Sequence, residues 1–140
     1  MRLGTMVLAA VTALAACGRS EARPYEMHQI SNDYSFTIVP DVTPPHAREQ
    51  ILYKVFIRDR KTREPIQSGE GQIYAQNREG ARTWDGLTYG PQVGTYYGKL
   101  SFVTSGDWAV AIRFRRDSLH TLETINWMQQ VFNERPSSTP

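Results

Sequence analysis

The stretch Gly106-Asp107-Trp108-Ala109-Val110-Ala111-Ile112-Arg113-Phe114-Arg115 decides the fold of this chain. Apolar side chains occupy every second position from Trp108 to Phe114, and alanine or arginine fills the positions between them. Successive side chains of an extended chain point to opposite sides. The pattern therefore predicts a strand with one face in a core and the other toward solvent.

The same period of two recurs upstream, for example in Ile51, Tyr53 and Val55. Turn-forming residues separate the runs, and no segment between them is long enough for a crossover helix. The sequence therefore predicts an all-β fold, an antiparallel β-sandwich or barrel of six to seven strands. The predicted strands are residues 34–39, 50–58, 70–76, 82–84, 86–89, 95–103 and 107–115.

The end of the chain changes period. Leu119, Leu122, Ile125, Met128 and Phe132 recur at intervals of three and four, which predicts an amphipathic C-terminal helix over residues 117–134. This helix either packs on the open end of the sandwich or docks on a partner. Residues 135–140 are predicted to form a disordered tail.

The start of the chain has the layout of a secretory signal peptide. Arg2 precedes an apolar run over residues 3–13, and Leu14-Ala15-Ala16-Cys17 follows. These four residues resemble the lipobox of bacterial lipoproteins. The resemblance implies cleavage after residues 1–16, lipidation of Cys17, and a tether over residues 17–30. The alternative is a plain signal peptide with an incidental cysteine.

Composition restricts the function. The chain has 140 residues, a formal net charge of +2 and one cysteine, Cys17. That length suits one domain with its own core. The near-neutral charge gives no reason to expect a nucleic-acid partner. With Cys17 lipidated, no intramolecular disulfide can form. We expect a membrane-anchored lipoprotein of the bacterial cell envelope that faces the periplasm, with the choice of inner or outer membrane left open.

Two stretches carry a family resemblance. Val55-Phe56-Ile57-Arg58-Asp59 with Lys61-Thr62-Arg63-Glu64-Pro65-Ile66, and Gly94-Thr95-Tyr96 with the hairpin from Leu100 to Ile112, resemble small immunoglobulin-like envelope domains of the YtkA/FixH type. The resemblance implies an immunoglobulin-like sandwich over residues 31–116, with Tyr96 bonding back across a loop. It also implies a role in copper handling or in the assembly of membrane oxidases.

Copper binding is an alternative with few candidate ligands. Where many members of that family carry methionine and histidine before the closing hairpin, this chain has Arg82-Thr83-Trp84-Asp85-Gly86-Leu87-Thr88. Met27, His28 and His46 are the remaining candidates, because copper(I) prefers thioether and imidazole ligands. Adjacent residues of an extended segment point to opposite sides, so Met27 and His28 cannot chelate together without a turn. Outside this alternative, no cofactor is predicted.

The remaining candidates lie on the surface. No catalytic motif is present, so the sequence predicts a non-enzymatic protein. It is expected to bind or brace an integral membrane protein complex, as an accessory or assembly subunit of an electron-transfer complex by family analogy alone. A glycan or peptidoglycan binder that uses exposed tyrosines is the other alternative. The alternative interpretation of Arg113 and Arg115 is that they lie on a solvent-exposed sheet face without a binding role. The partner-binding candidates are Trp84, Tyr89, Tyr97, Arg113 and Arg115, with Trp127 and Phe132 added if the helix docks outward.

Overall fold

The computed structural model describes residues 23–137, which fold into two antiparallel sheets. The order in the first sheet is β1-β2-β3-β7-β6, and the order in the second is β5-β4-β8-β9. The all-β sandwich is therefore confirmed, with nine strands in the described residues instead of six or seven. The strands are β1 (Met27–Ile30), β2 (Tyr34–Pro40), β3 (Gln50–Asp59), β4 (Glu70–Asn77), β5 (Arg82–Gly86), β6 (Thr88–Tyr89), β7 (Thr95–Ser101), β8 (Gly106–Arg115) and β9 (Glu123–Val131).

The core lies between the two sheets and is built from the predicted alternation. On β8, the side chains from Trp108 to Phe114 at every second position are fully buried. Ile73 lies opposite Ile112 on the neighbouring strand β4 and is buried as well. From the first sheet, β2 and β3 contribute the facing layer of aromatic and branched side chains. Its fully buried members are Tyr34, Phe36, Ile38, Ile51, Tyr53, Val55 and Ile57.

The closing hairpin between β7 and β8 forms as its residues predict. Gly106 has a φ of 115°, a conformation that favours glycine. The Phe102 and Trp108 rings meet edge to face at 5.2 Å, and the Trp108 Nε1 donates to the Thr104 carbonyl at 3.0 Å. This hydrogen bond satisfies the polar atom of a buried tryptophan.

One side of the sandwich is closed by a strand that changes sheets. β5 belongs to the second sheet, and after Leu87 the chain continues as β6 in the first sheet. Asp85 and Thr83 on β5 accept hydrogen bonds from the Lys99 and Ser101 amides of β7, at 2.8 and 3.3 Å. The opposite side of the sandwich carries β1 and β9, which are the last strands of their sheets.

The predicted C-terminal helix over residues 117–134 is wrong, because the chain there forms the strand β9. Ile125 and Val131 are buried and Trp127 is half-buried, so the inward positions follow a period of two. Met128, which the helical pattern placed beside Ile125, is 67% exposed, and Leu119 is 93% exposed. Pairing of β9 with β8 along its whole length satisfies the backbone groups of β9 that face β8.

The predicted ends of the chain are only partly described. The predicted tether over residues 17–30 includes β1, so its last residues form an edge strand. The signal segment and Cys17 lie outside the described residues. Of the predicted tail, residues 135–137 have no regular structure, and Arg135 pairs with Glu49 at 3.0 Å. Within residues 23–137, no helix is long and apolar enough to cross a membrane.

Candidate functional site

The candidate site is the outer face of the second sheet, formed by the side chains of β5, β4, β8 and β9 that point away from the core. The register fixes which of them are neighbours. Trp84 lies opposite Tyr74, which lies opposite Ala111 and then Asn126. A second row runs through Gln72, Arg113 and Thr124, and a third through Arg82, Gln76, Ala109 and Met128. We refer to these residues as the outer face.

The outer face carries both large exposed apolar side chains and small ones. Trp84 is 70% exposed and Met128 is 67% exposed. Ala109 and Ala111 are the small outward residues of β8, the strand next to Met128. Exposed tryptophan and methionine on a rigid sheet provide apolar contact area that the fold itself does not use.

Arginines give the face its charge. The Arg113 guanidinium lies over the Tyr74 ring at 5.0 Å from the centroid, a cation–π contact that holds both side chains in place. Arg115 is paired with Glu70. Within residues 23–137, Arg113 and Arg82 form no ion pair with an acidic side chain. The face therefore presents uncompensated positive charge beside its aromatic residues.

Two shallow depressions mark the outer face. One of about 300 Å³ lies between β4 and β5 and is lined by Gln72, Tyr74, Gln76, Arg82, Thr83 and Trp84. The other, of about 360 Å³, is bordered by Glu70, Gln72, Arg113, Arg115 and Leu122. Both are open, and both combine polar side chains with an apolar one. Such surfaces suit contact with a protein segment or a sugar better than enclosure of a small molecule.

The predicted tyrosines do not join this face. Tyr89 and Tyr97 lie on β6 and β7 of the other sheet. The Tyr89 hydroxyl accepts a hydrogen bond from the Gly94 amide at 3.3 Å, and its ring meets the Tyr96 ring at 5.1 Å. Tyr97 is half-buried beside Gly90, where an added Cβ would come within 2.3 Å of the Tyr97 ring. Tyr89 thus supports a loop although it is 37% exposed, and Tyr97 is half-buried.

Trp127 and Phe132 are also separated from the outer face. Trp127 points between the sheets, with its ring 6.3 Å from that of Tyr53, and is not free to dock outward. Burial raises the pKa of the Tyr53 hydroxyl, with the charge of Asp41 adding to the effect. Phe132 is 45% exposed and lies beyond the end of β9, next to the His46 ring.

The candidate copper ligands lie on β1 and in the β2–β3 connection. On β1, Met27 lies opposite the inward-facing Ile38 and packs against the core, while His28 lies opposite Thr37 on the outside. The His46 Nδ1 is 2.7 Å from the Asn133 carbonyl and donates to it, which leaves Nε2 free. No group of three or more histidine, cysteine, aspartate or glutamate side chains in the described part of the chain could hold a metal ion. Met27 and His28 lie on opposite faces of β1, as their adjacent positions predicted.

Two residues of the outer face escaped the sequence analysis as site residues. Tyr74 is one of several aromatic residues in the middle of the chain, and the sequence does not indicate which residues lie next to it in the fold. Met128 belongs to the pattern that predicted a helix. The available signal was the alternation of β4, in which Ile73 and Ala75 are inward and Tyr74 is outward. For Met128, the corresponding signal was the inward set Ile125, Trp127 and Val131.

The two-layer antiparallel arrangement defines the class of this protein as a β-sandwich, and solved structures share it. A DUF4426 family protein from Pseudomonas aeruginosa is similar with a TM-score of 0.59 and 10% identity, over 79% of this chain and 97% of that one. FetP from uropathogenic E. coli, recombinantly expressed in the periplasm, has a TM-score of 0.55 and 12% identity, over 79% and 97% of the two chains. A copper-bound variant of FetP has a TM-score of 0.53 and 12% identity, over 84% and 97%.

These similarities show the fold alone. No protein-family model matches the chain, and no curated protein matches it in sequence. The resemblance to YtkA/FixH domains stays a prediction.

Proposed function

We propose that this protein is a non-enzymatic, lipid-anchored component of the bacterial envelope, and that it holds a membrane protein complex through the outer face. The observation that carries the proposal is the combination of exposed Trp84 and Met128 with Arg113, which has no acidic partner among residues 23–137, on one sheet. Tryptophan and arginine are enriched among the residues that contribute most of the binding energy at protein interfaces, and methionine is enriched in interfaces in general. The partner surface is apolar at its centre and carries carboxylates opposite the arginines.

The rigidity of the face supports this proposal. Trp84 lies on β5 and Arg113 on β8, and both strands pair with β4, where Tyr74 lies under Arg113. The arrangement therefore exists before a partner arrives. A preorganised surface loses little conformational freedom on binding. The face is therefore better suited to docking than an equally apolar loop would be.

Anchoring and export complete the proposal. The lipobox-like residues Leu14 to Cys17 lie outside the described residues, and lipidation of Cys17 rests on the sequence. The similarity in fold to FetP, a protein expressed in the periplasm, supports a position on the periplasmic side of a membrane. An anchor of this kind confines the protein to the bilayer that holds its partner and raises their effective concentration. The outer face can then be small and still remain occupied.

Co-purification tests the proposal. The full-length protein, tagged at the C terminus, is isolated from its own membranes in mild detergent. We expect an integral membrane complex to be recovered in stoichiometric amount with the wild type, and recovery to fall roughly tenfold or more with Trp84→Ala or Arg113→Ala. Arg58→Ala is the matched control, because Arg58 is equally exposed on the outer face of the other sheet.

Each arm of this experiment has a distinct meaning. Cys17→Ala should release the protein from the membrane, whereas Trp84→Ala should leave it there. If Arg58→Ala reduces recovery as much as Arg113→Ala, the contact does not lie on the outer face. If the wild type is recovered alone, the bracing function is wrong. Sedimentation with purified cell wall then tests glycan binding in the depression lined by Gln72, Tyr74 and Trp84.

Copper binding is the second candidate, favoured by the copper-bound FetP variant of similar fold. The predicted ligands of this chain argue for a weak site. Met27 packs against the core, and both ring nitrogens of His28 have polar neighbours, whereas His46 uses only Nδ1. Anaerobic titration with copper(I) tests it by following the melting temperature. A rise that His46→Ala abolishes would support copper binding, and an unchanged melting temperature would exclude it. His120→Ala is the control, because His120 lies in the β8–β9 connection and pairs with Asp117.

A further inference from the structure

The strand β9 is an edge strand without the protection that such strands usually carry. Within residues 23–137, its only strand partner is β8. Its sequence, Glu-Thr-Ile-Asn-Trp-Met-Gln-Gln-Val, has one charged residue, at the first position, and neither proline nor glycine. Its register with β8 is continuous from Glu123 to Val131, so no bulge bends it away. Lysines, prolines and bulges are the features that keep sheet edges from pairing with other chains.

The backbone groups that face the open side of β9 can be assigned from the residue that follows it. The Phe132 amide donates to the Pro45 carbonyl, and the Phe132 carbonyl accepts from the Ala47 amide, both at 2.9 Å. These groups therefore point away from β8. Because a strand alternates with a period of two, the backbone groups of the other even-numbered residues of β9 point the same way. Those residues are Thr124, Asn126, Met128 and Gln130.

This open edge is long enough for stable pairing. From Thr124 to Gln130 it spans roughly 20 Å. Of its backbone groups, the Gln130 carbonyl accepts a hydrogen bond from the Gln129 side-chain amide at 3.0 Å. Asp33 bonds to Glu123 at one end, and Pro45 and Ala47 bond to Phe132 at the other. The two ends therefore restrict a partner strand to the seven residues between them.

We infer that β9 pairs antiparallel with β9 of a second copy of this chain, about a two-fold axis at Trp127. In this register Asn126 lies opposite Met128 of the second copy, and Thr124 lies opposite Gln130 of the second copy. All four residues whose backbone groups face the open side then lie opposite one another. The charged residue, Glu123, lies opposite Val131, so no like charges meet across the pair. An interface in which the same surface of both copies pairs with itself closes into a two-fold symmetric dimer.

The dimer extends the outer face and so goes beyond the proposed function. Two four-stranded sheets join edge to edge into one of eight strands. Met128 then lies at the middle of a continuous face, with a copy of Trp84 and Arg113 on each side. β1, the edge strand of the first sheet on the same side of the sandwich, has only four residues and is less suitable for the same pairing.

Cysteine cross-linking in membranes tests the pairing and its register. Full-length Asn126→Cys and Met128→Cys variants are expressed singly and together. Residues in a hydrogen-bonded pair lie about 5.5 Å apart between Cα atoms, within the range that a disulfide spans, whereas diagonal neighbours lie about 7–8 Å apart. We expect disulfide dimers when the two variants are expressed together and only background when each is alone. Gln76→Cys, on the same face but on β4, should stay at background.

A substitution that adds a charge to the edge strand β9 is the second test. Asn126→Lys places a lysine in the centre of β9, where its side chain points to solvent in the single copy. We expect sedimentation in detergent to show a dimer for the wild type and for Gln76→Lys, and a monomer with an unchanged melting temperature for Asn126→Lys. A monomeric wild type, or a dimer that survives Asn126→Lys, would overturn the inference. Neither result depends on recovery of a membrane complex, so the proposed function is tested separately.

Discussion

The Tyr96 hydroxyl donates a hydrogen bond to the carbonyl of Ile66, thirty residues earlier in the chain, at 2.8 Å. The same hydroxyl accepts from the Gly69 amide at 3.0 Å. One side chain thus fastens the long connection between β3 and β4 to the buried face of β7. The sequence resemblance implied such a bond from Tyr96 across a loop.

Replacement of Tyr96 tests this fastening. Tyr96→Phe keeps the ring, which meets Phe114 edge to face at 5.1 Å, and removes only the hydroxyl. The Ile66 carbonyl and the Gly69 amide then lose their partner, so we expect the free energy of unfolding to fall by about 1–3 kcal/mol. Urea denaturation measures it. Tyr97→Phe is the control, since Tyr97 is half-buried on the other side of β7. Equal losses in the two variants would contradict the prediction.

Substitutions on β9 distinguish a strand from a helix. Trp127→Ala should lower the free energy of unfolding by on the order of 2–4 kcal/mol, because the ring packs between the sheets beside Tyr53. Met128→Ala should change it by less than about 0.5 kcal/mol, because that side chain lies on the surface. Chemical denaturation of the two variants compares them. A helix would give the opposite order, since its apolar stripe contains Met128 and leaves Trp127 at the margin.

The wrong prediction of a helix at β9 has a physical cause, an alternation that a polar residue interrupts. Gln129 occupies an inward position between Trp127 and Val131, and so interrupts the alternation. Leu122, just before the strand, and Met128 happen to stand three residues from Ile125 on either side, which imitates a helix. On β8, by contrast, every inward position from Trp108 to Phe114 is apolar, and the period of two is unambiguous.

The composition of the outer face was easier to predict than its assembly. Trp84, Arg113 and Arg115 could be selected by residue type, because exposed aromatic and arginine side chains favour interfaces. Their meeting on one face depends on β4, which pairs with β5 on one side and with β8 on the other. That order is set by how the two sheets bury their apolar faces together. Local patterns carry little information about it, since β5 and β8 are separated in sequence by β6 and β7.

Two strand glycines should differ sharply in their tolerance of a methyl group. A Cβ on Gly98 would lie 2.6 Å from the Ile73 Cγ2 and 3.2 Å from a Leu87 methyl, inside the core. Gly98→Ala should therefore lower the free energy of unfolding by about 1–3 kcal/mol through overpacking. A Cβ on Gly86 has no atom within 4 Å, so Gly86→Ala should be neutral or slightly stabilising. Thermal melting compares the two, and a loss in Gly86→Ala as large as that in Gly98→Ala would contradict this account.

Asp59 makes stability depend on pH in the acid range. The amide of Thr62, the guanidinium of Arg116 and the amide of Lys61 lower the pKa of Asp59 to about 2. In the unfolded chain an aspartate titrates near 3.9. Because the folded state favours the charged form, this contribution is complete above about pH 4 and is lost as the pH falls toward 2. Asp59→Asn should therefore be less stable than the wild type at pH 7, and the difference should shrink below pH 4.

Denaturation at several pH values checks this prediction. Asp107→Asn is the control, because the Asp107 side chain forms no hydrogen bond or ion pair within the described part of the chain. This variant should leave the pH dependence of the free energy of unfolding unchanged. A constant difference between Asp59→Asn and the wild type from pH 2 to 7 would show that Asp59 acts by hydrogen-bond geometry and not by charge.

The Asp85 side chain should protect a single backbone amide of the first sheet from hydrogen exchange. β6 pairs with β7 only at Tyr96 and Tyr97, so the next amides along that edge of β7 need other acceptors. The Asp85 carboxylate accepts from the Lys99 amide at 2.8 Å. Asp85→Ala leaves that amide to solvent, and we expect its hydrogen exchange to accelerate while the free energy of unfolding falls by about 1 kcal/mol.

Thr83 provides the matched comparison, because its hydroxyl accepts from the Ser101 amide at 3.3 Å two residues further along β7. Thr83→Val keeps the shape of the side chain and removes that acceptor, so it should accelerate exchange at Ser101 and leave Lys99 protected. Residue-resolved hydrogen exchange separates the two effects. If Asp85→Ala accelerates Lys99 and Ser101 equally, then β5 detaches from β7 as a unit, and the closure of this side of the sandwich is cooperative instead of residing in individual bonds.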